Sequence, residues 1–160
     1  MSQDIFIKLS GVEGESEDAS HNGDIEVLNW KWVISQTSNM HSGSGGGAGK
    51  ATIYDLHFEH YIDKSSPTLL QYCLSGKPVS QAIITQRKAG GSPLEYLCIT
   101  LQEIIITGVH PVYYNTMRVP REVVALSFSS VTMDYLLQNT QGNMAGTVSA
   151  GYNIKANAII

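Results

Sequence analysis

Cysteine is scarce in this chain, represented only by Cys73 and Cys98. Both stand in apolar runs beside leucines, where a free thiol behaves as a small buried hydrophobe. We read them as reduced core residues, although spacing leaves a bond between the two open. The count does not suggest the disulfide framework of a small secreted domain. Basic residues are also few: 10 Lys and Arg stand against 14 Asp and Glu, for a net charge of -4. Phosphate binding needs a basic surplus on one face, so no nucleic-acid partner is expected. Long apolar runs are missing too, since no segment approaches the roughly 20 consecutive apolar residues of a spanning helix. The N-terminal MSQDIFIKL carries Asp4, lacks a basic region and is too short in its apolar part for a signal peptide. We therefore expect synthesis and folding in the cytoplasm, no membrane insertion, and any export by a route without a cleavable signal.

What is present suits a single domain spanning 1–160, because 42% hydrophobic against 15% charged residues is enough to build a core. Alternation with period two dominates, punctuated by Gly, Ser and Asn, and predicts a mainly β chain. Strands are expected at 4–9, 25–34, 51–62, 79–88, 94–107, 122–137 and 147–156. In the second, Leu28, Trp30, Trp32 and Ile34 would share the core face, with Asn29 and Lys31 opposite. In the third, Tyr54, Leu56, Phe58, His60 and Ile62 oppose a solvated face of Asp55, His57, Glu59 and Tyr61. Helical spacing occurs once, in Leu69, Leu70, Cys73 and Leu74. Ser66 is the expected N-cap, Pro67 suits the first turn and Gly76 the left-handed stop. These elements predict a β-barrel or sandwich with a helix as plug or flank. The glycine-rich stretch from Ser42 to Gly49 joins the second and third strands and is too poor in side chains to hold one shape alone.

Chemistry is harder to find. The glycines before Lys50 fail as a phosphate loop, because Ser44 stands where the first Gly is needed and Ala51 where Ser or Thr is needed. Gly43, Gly45 and Ala48 fit the loose dinucleotide pattern, but a strand follows, so no helix N-terminus could hold a pyrophosphate. His57, Glu59 and His60 are dense in metal-binding types, yet on a strand His60 faces away from the other two. His21, His41 and His110 read as isolated, solvated turn histidines. Glu13, Glu15, Glu17 and Asp18 lack the spacing of a calcium loop and read as an acidic surface. No nucleophile elbow and no Cys–His pairing appears. Trp30 and Trp32 read as core rather than as a stacking platform. No cofactor, metal or enzymatic activity is expected.

Several strings occur in order along nearly the whole chain: DIFIK at 4–8, GES at 14–16 with Asp18 and His21, and IEVL at 25–28 leading to Trp30 and Trp32. They continue with SNMHSG at 38–43 running to Gly49 and Lys50, YIDK at 61–64 with Pro67, and SGK at 75–77. RKAGG at 87–91, LEYL at 94–97, and Gly151 with Tyr152 complete the set. Together they resemble the Hcp family of type VI secretion tube proteins. The resemblance implies a β-barrel of two antiparallel sheets with one short flanking α-helix. It further implies a homohexameric ring, stacking of rings into a hollow tube, secretion, and effector proteins carried in the lumen. The tip spike and the sheath of the secretion machine would be further partners. The ring-stacking loop would comprise Ser38, Asn39, Met40, His41, Ser42, Gly43, Gly45 and Gly49. Lys31 would face the lumen, where many relatives carry a small residue, and would alter cargo preference. Lateral contacts are expected from the face of Asp55, His57, Glu59 and Tyr61, from polar positions of 122–137, and from Arg87. The stretch 109–121 is the least family-like and reads as a variable surface loop or a sheath or spike contact. A soluble barrel that binds a small ligand is the alternative.

Overall fold

The computed structural model describes residues 3–41, 47, 49–88 and 94–160. Eleven strands and one helix form there: β1 Gln3–Leu9, β2 Ile25–Val27, β3 Asn29–Lys31, β4 Ile34–Ser35, β5 Thr52–Ile53, β6 Leu56–Tyr61, α1 Ser66–Ser75, β7 Val79–Lys88, β8 Glu95–Val112, β9 Arg121–Gln138, β10 Met144–Asn153 and β11 Ala158–Ile159. Nine strands make one antiparallel sheet, and β4 with β5 makes a second of two strands. The large sheet runs β11-β10-β9-β8-β7-β1-β2, and β6 joins it between β9 and β3. One edge of β9 serves two neighbours in turn: β6 pairs with Arg121 to Leu126, and β10 with Ser130 to Gln138.

The predicted strand 25–34 is broken, and the break decides the architecture. Ile25 and Val27 are buried, Leu28 and Asn29 are both exposed, and Trp30 and Trp32 again pack on the core. Alternation loses one step at Leu28, as at a β-bulge, so Leu28 surfaces instead of sharing the tryptophan face. On one side of the step β2 pairs with β1; on the other β3 pairs with β6. Between them Leu28 N–H donates to the Glu59 carbonyl at 2.7 Å. No continuous ladder closes the sheet, which corrects the expectation of a closed β-barrel to a mainly β fold of two sheets with one helix. Ile34 is also exposed, because its strand has left the large sheet for the β4–β5 ribbon.

The core is filled by side chains from almost every strand of the large sheet. Ile7, Leu56, Phe58, Ile84, Ile99, Leu101, Ile104, Ile106 and Leu126 are fully buried, each contributing about 1.5–3 kcal/mol relative to exposure. Helix α1 adds Leu69, whereas Leu70 and Leu74 are exposed. Its N-cap is Ser65, not Ser66, and makes no side-chain capping bond. Ser66 Oγ instead accepts from Asp63 N–H at 3.1 Å, so its hydroxyl stabilises the approach to the helix. Gly76 ends the helix at φ 70°, the left-handed conformation in which a Cβ is disfavoured. Cys73 and Cys98 are both free and half-buried, and burial pushes the Cys98 thiol above its usual pKa.

Candidate functional site

Strand register fixes what the outward face of β3, β6, β9 and β8 carries, because directly opposed residues in an antiparallel pair lie on the same face. Lys31 is the cross-strand partner of His57, and Asn29 that of Glu59. His57, Glu59 and Tyr61 are in turn opposed by Ala125, Val123 and Arg121 of β9. Trp30 and Phe58 are paired on the buried side, so Lys31 faces away from the tryptophans, as alternation predicts. The residues expected at the lumen (Lys31) and at the subunit seam (Asp55, His57, Glu59, Tyr61) thus belong to one continuous face. Polar bonds tie it together. Asn29 Nδ2 donates to Glu59 Oε1 at 2.7 Å, Thr107 Oγ1 donates to Asp55 Oδ2 at 2.5 Å, and the Arg121 guanidinium lies 5.4 Å from the Tyr61 ring.

A groove of about 460 Å³ opens on this face, lined by Lys31, Trp32, Val33, Ser35, Tyr54, Asp55 and His57. Trp32 Nε1 donates to the Tyr54 carbonyl at 3.0 Å, which holds the indole across the groove floor. His57 Nδ1 lies 3.2 Å from the Asp55 carbonyl. A carbonyl can only accept, so Nδ1 carries the proton.

Beyond the groove the chain leaves the body as an arm. β4 and β5 pair Ile34 with Ile53 and Ser35 with Thr52. The ribbon continues through Gly49 N–H to the Thr37 carbonyl at 3.2 Å and Asn39 N–H to the Gly47 carbonyl at 3.4 Å. Every residue from Val33 to His41 is exposed. The structure therefore places Ser38, Asn39, Met40, His41 and Gly49 on a projecting ribbon; Ser42, Gly43 and Gly45 lie outside the described residues.

Arg87, expected at the seam, has partners within its own chain. It binds both carboxylate oxygens of Asp18, bonds Asp4 Oδ2 at 3.2 Å, and lies 5.0 Å from the Phe6 ring. The Arg87 hydrogen bonds hold the Asp18 carboxyl below its ordinary pKa. His21 is not solvated: its ring stacks on Phe6 at 4.3 Å, and its two nitrogens meet Asp24 at 2.9 Å and Glu95 at 3.0 Å. His60 is fully buried, 2.8 Å from Glu122 Oε1. His110 is exposed and lies on the outward face, opposite Val123.

One surface was expected only in part, through the polar positions of 122–137. The far halves of β9 and β10 form a hairpin in which seven consecutive residues of β10, Met144 to Ala150, are exposed on both sides of the strand. Val148 and Tyr135 are cross-strand partners, 60% and 46% exposed, and Leu137 and Met144 are exposed nearby. From Met144 to Ala150 the outer edge of β10 has no strand partner among the described residues, since β11 pairs with Tyr152 and Asn153 and Ile160 N–H donates to the Gly151 carbonyl at 3.2 Å. The run of small and polar residues at 144–150 is the only signal the sequence offers.

Residues 6–135 match the family model described as type VI secretion system effector, Hcp. The chain belongs to the Hcp family. Protein hcp1 of Pseudomonas aeruginosa is 45% identical over 159 residues, covering 98% of both chains. The crystal structure of Hcp1 from Salmonella typhimurium superposes with a TM-score of 0.84 at 46% identity, covering 100% of both chains. A type VI secretion system effector from Yersinia pestis gives 0.78 at 41% identity, covering 94% of this chain and 99% of the other. Hcp proteins are secreted tube proteins of the type VI machinery, so the surfaces described above are those of an Hcp fold. No helix among the described residues is long and apolar enough to cross a membrane.

Proposed function

We propose that this chain is the repeating subunit of a type VI inner tube. It forms hexameric rings, the rings stack, and the tube is exported with effector proteins in its lumen. The observation that carries this reading is the β9–β10 hairpin. A strand exposed on both faces, with an unpaired edge and exposed Tyr135, Leu137, Met144 and Val148, gains little from its own chain. An apolar patch beside a free edge is a surface for another protein. A second copy fits best, because a heterologous contact repeated by rotation closes into a ring.

In this assembly Lys31 faces the lumen, and the arm from Val33 to Tyr54 reaches the next ring. Asp55, His57, Glu59 and Tyr61 continue the Lys31 face toward the seam between subunits. Folding in the cytoplasm before secretion, and contacts with spike and sheath, complete the proposal, with no cofactor and no catalysis. The core is filled and the grooves open outward, so nothing favours a small-ligand barrel.

Negative-stain images of the purified protein test the assembly. Rings with a central hole are expected, whereas isolated small particles at every concentration would overturn the proposal.

A further inference from the structure

We infer that the groove beside Lys31 is a proton-controlled binding site for an acidic protein segment, a carboxylate flanked by an apolar side chain, with His57 as the switch. The inference rests on the reading above in one respect: the Lys31 face must meet cargo.

Neutral His57 keeps its proton on Nδ1, held by the Asp55 carbonyl at 3.2 Å. Nε2, which has no partner among the described residues, then presents a bare lone pair. A carboxylate brought to that atom meets an acceptor, and the contact is repulsive. Protonation turns Nε2 into an N–H donor and adds positive charge directly across the strand pair from Lys31. Cross-strand side chains in such a pair sit about 5 Å apart at Cβ, so Lys31 and protonated His57 can hold one carboxylate between them. Charge-assisted hydrogen bonds of this kind are roughly twice as strong as neutral ones. Without an anion, the two cations repel each other. Acidification therefore favours occupancy of the groove on both counts. Trp32, Val33 and Tyr54 supply the apolar part of the recognition.

The remaining charges around His57 do not supply this switch. On its own segment, Asp55 is bonded to Thr107, and Glu59 is bonded to Asn29 of β3. From β9, Arg121 lies against Tyr61; from β8, His110 is exposed farther along the face. Lys31 and Arg121 offset Asp55 and Glu59 when the histidines are neutral, so protonation gives a balanced face a net positive charge rather than adding to an existing surplus. Histidine is the side chain whose charge ordinarily changes between pH 5 and 8.

Fluorescence anisotropy with a fluorescein-labelled peptide of alternating glutamate and leucine, measured at pH 5.5 and pH 8.0, tests the proposal. The wild-type protein should bind about tenfold more tightly at pH 5.5, a difference of about 1.4 kcal/mol. A glutamine–leucine peptide should show no such ratio. His57→Gln should abolish the pH dependence, and His110→Gln should retain most of it. His57→Lys should bind tightly at both pH values, which keeps the test decisive if the glutamine variant folds poorly. Lys31→Ser should weaken binding throughout. An unchanged ratio in His57→Gln, or equal binding by wild type at both pH values, would overturn the inference. Negative-stain images of the same samples separate the two readings: rings without pH-dependent binding strike the switch alone, and binding without rings strikes the tube.

Discussion

His60 and Glu122 are direct partners across β6 and β9, and both are almost inaccessible to solvent. Burial alone would raise the Glu122 carboxyl, but hydrogen bonds from His60 and Ser66 outweigh it and hold the folded-state pKa below the ordinary 4.5. The unfolded chain thus takes up this proton first as pH falls. The stabilisation is complete above about pH 4.5 and is lost as pH drops through the folded value. Glu122→Gln should cost on the order of 3 kcal/mol at pH 7. It should also flatten the acid limb of the stability curve, both readable from urea denaturation at pH 7 and below pH 4.5. Gly14 sets a different constraint. Its N–H donates to the Gly23 carbonyl at 2.8 Å, and a Cβ built there would collide with the Asp24 carbonyl. The strand-like turn that positions Asp24 for His21 therefore requires glycine. Gly14→Ala should lose about 1–3 kcal/mol by overpacking, seen as a lower denaturation midpoint with an unchanged slope.

Val148 and Tyr135 face each other on an exposed hairpin, and nothing in the same chain covers them. Val148→Asp should therefore leave monomer stability within about 0.5 kcal/mol while abolishing large assemblies in sizing chromatography. An assembled Val148→Asp protein would remove the hairpin from the seam. The same contrast separates legible from illegible elements. Strand β7 begins and ends where the sequence places it, at Val79 and Lys88, because Pro78 and the polar run Gln86–Lys88 bound a short stretch rich in Val, Ile and Thr. The break at Leu28 does leave a mark, since apolar residues of IEVLNWKWVI fall on odd positions at Ile25 and Val27 and on even ones from Leu28, but which of the adjacent Val27 and Leu28 surfaces is set by the tertiary requirement to serve both β1 and β6. The burial of His21 is not local either: Asp24 lies three residues on, but the Phe6 ring it stacks on and Glu95, 74 residues away, come from strands elsewhere in the chain. Lys31 and His57 were each singled out, but their juxtaposition depends on register, which alternation alone leaves open. The exposed apolar residues of β9 and β10 look the same in sequence as those of any weak strand.

Charge, edge and arm have separate consequences for the molecule as a whole. The arm contributes no strand to the large sheet: β4 pairs only with β5, and every residue from Val33 to His41 is exposed. Its removal should therefore be thermodynamically almost silent in one subunit and severe in an assembly, a combination that ordinary destabilising changes do not produce. Replacing residues 38–49 by a two-residue Asn-Gly turn keeps the paired stem and removes the reach. The shortened protein should keep its denaturation midpoint and still form single rings, because the β9–β10 hairpin and the Lys31 face are untouched. On the proposed assembly, in which the arm makes the ring-to-ring contact, stacking should fail. Sedimentation velocity at high protein concentration reads both properties at once: a single-ring species for the shortened protein beside longer stacks for the wild type. Stacks of equal length in both would assign ring-to-ring contact to another surface, the exposed apolar residues Leu70 and Leu74 of α1 being the next to test.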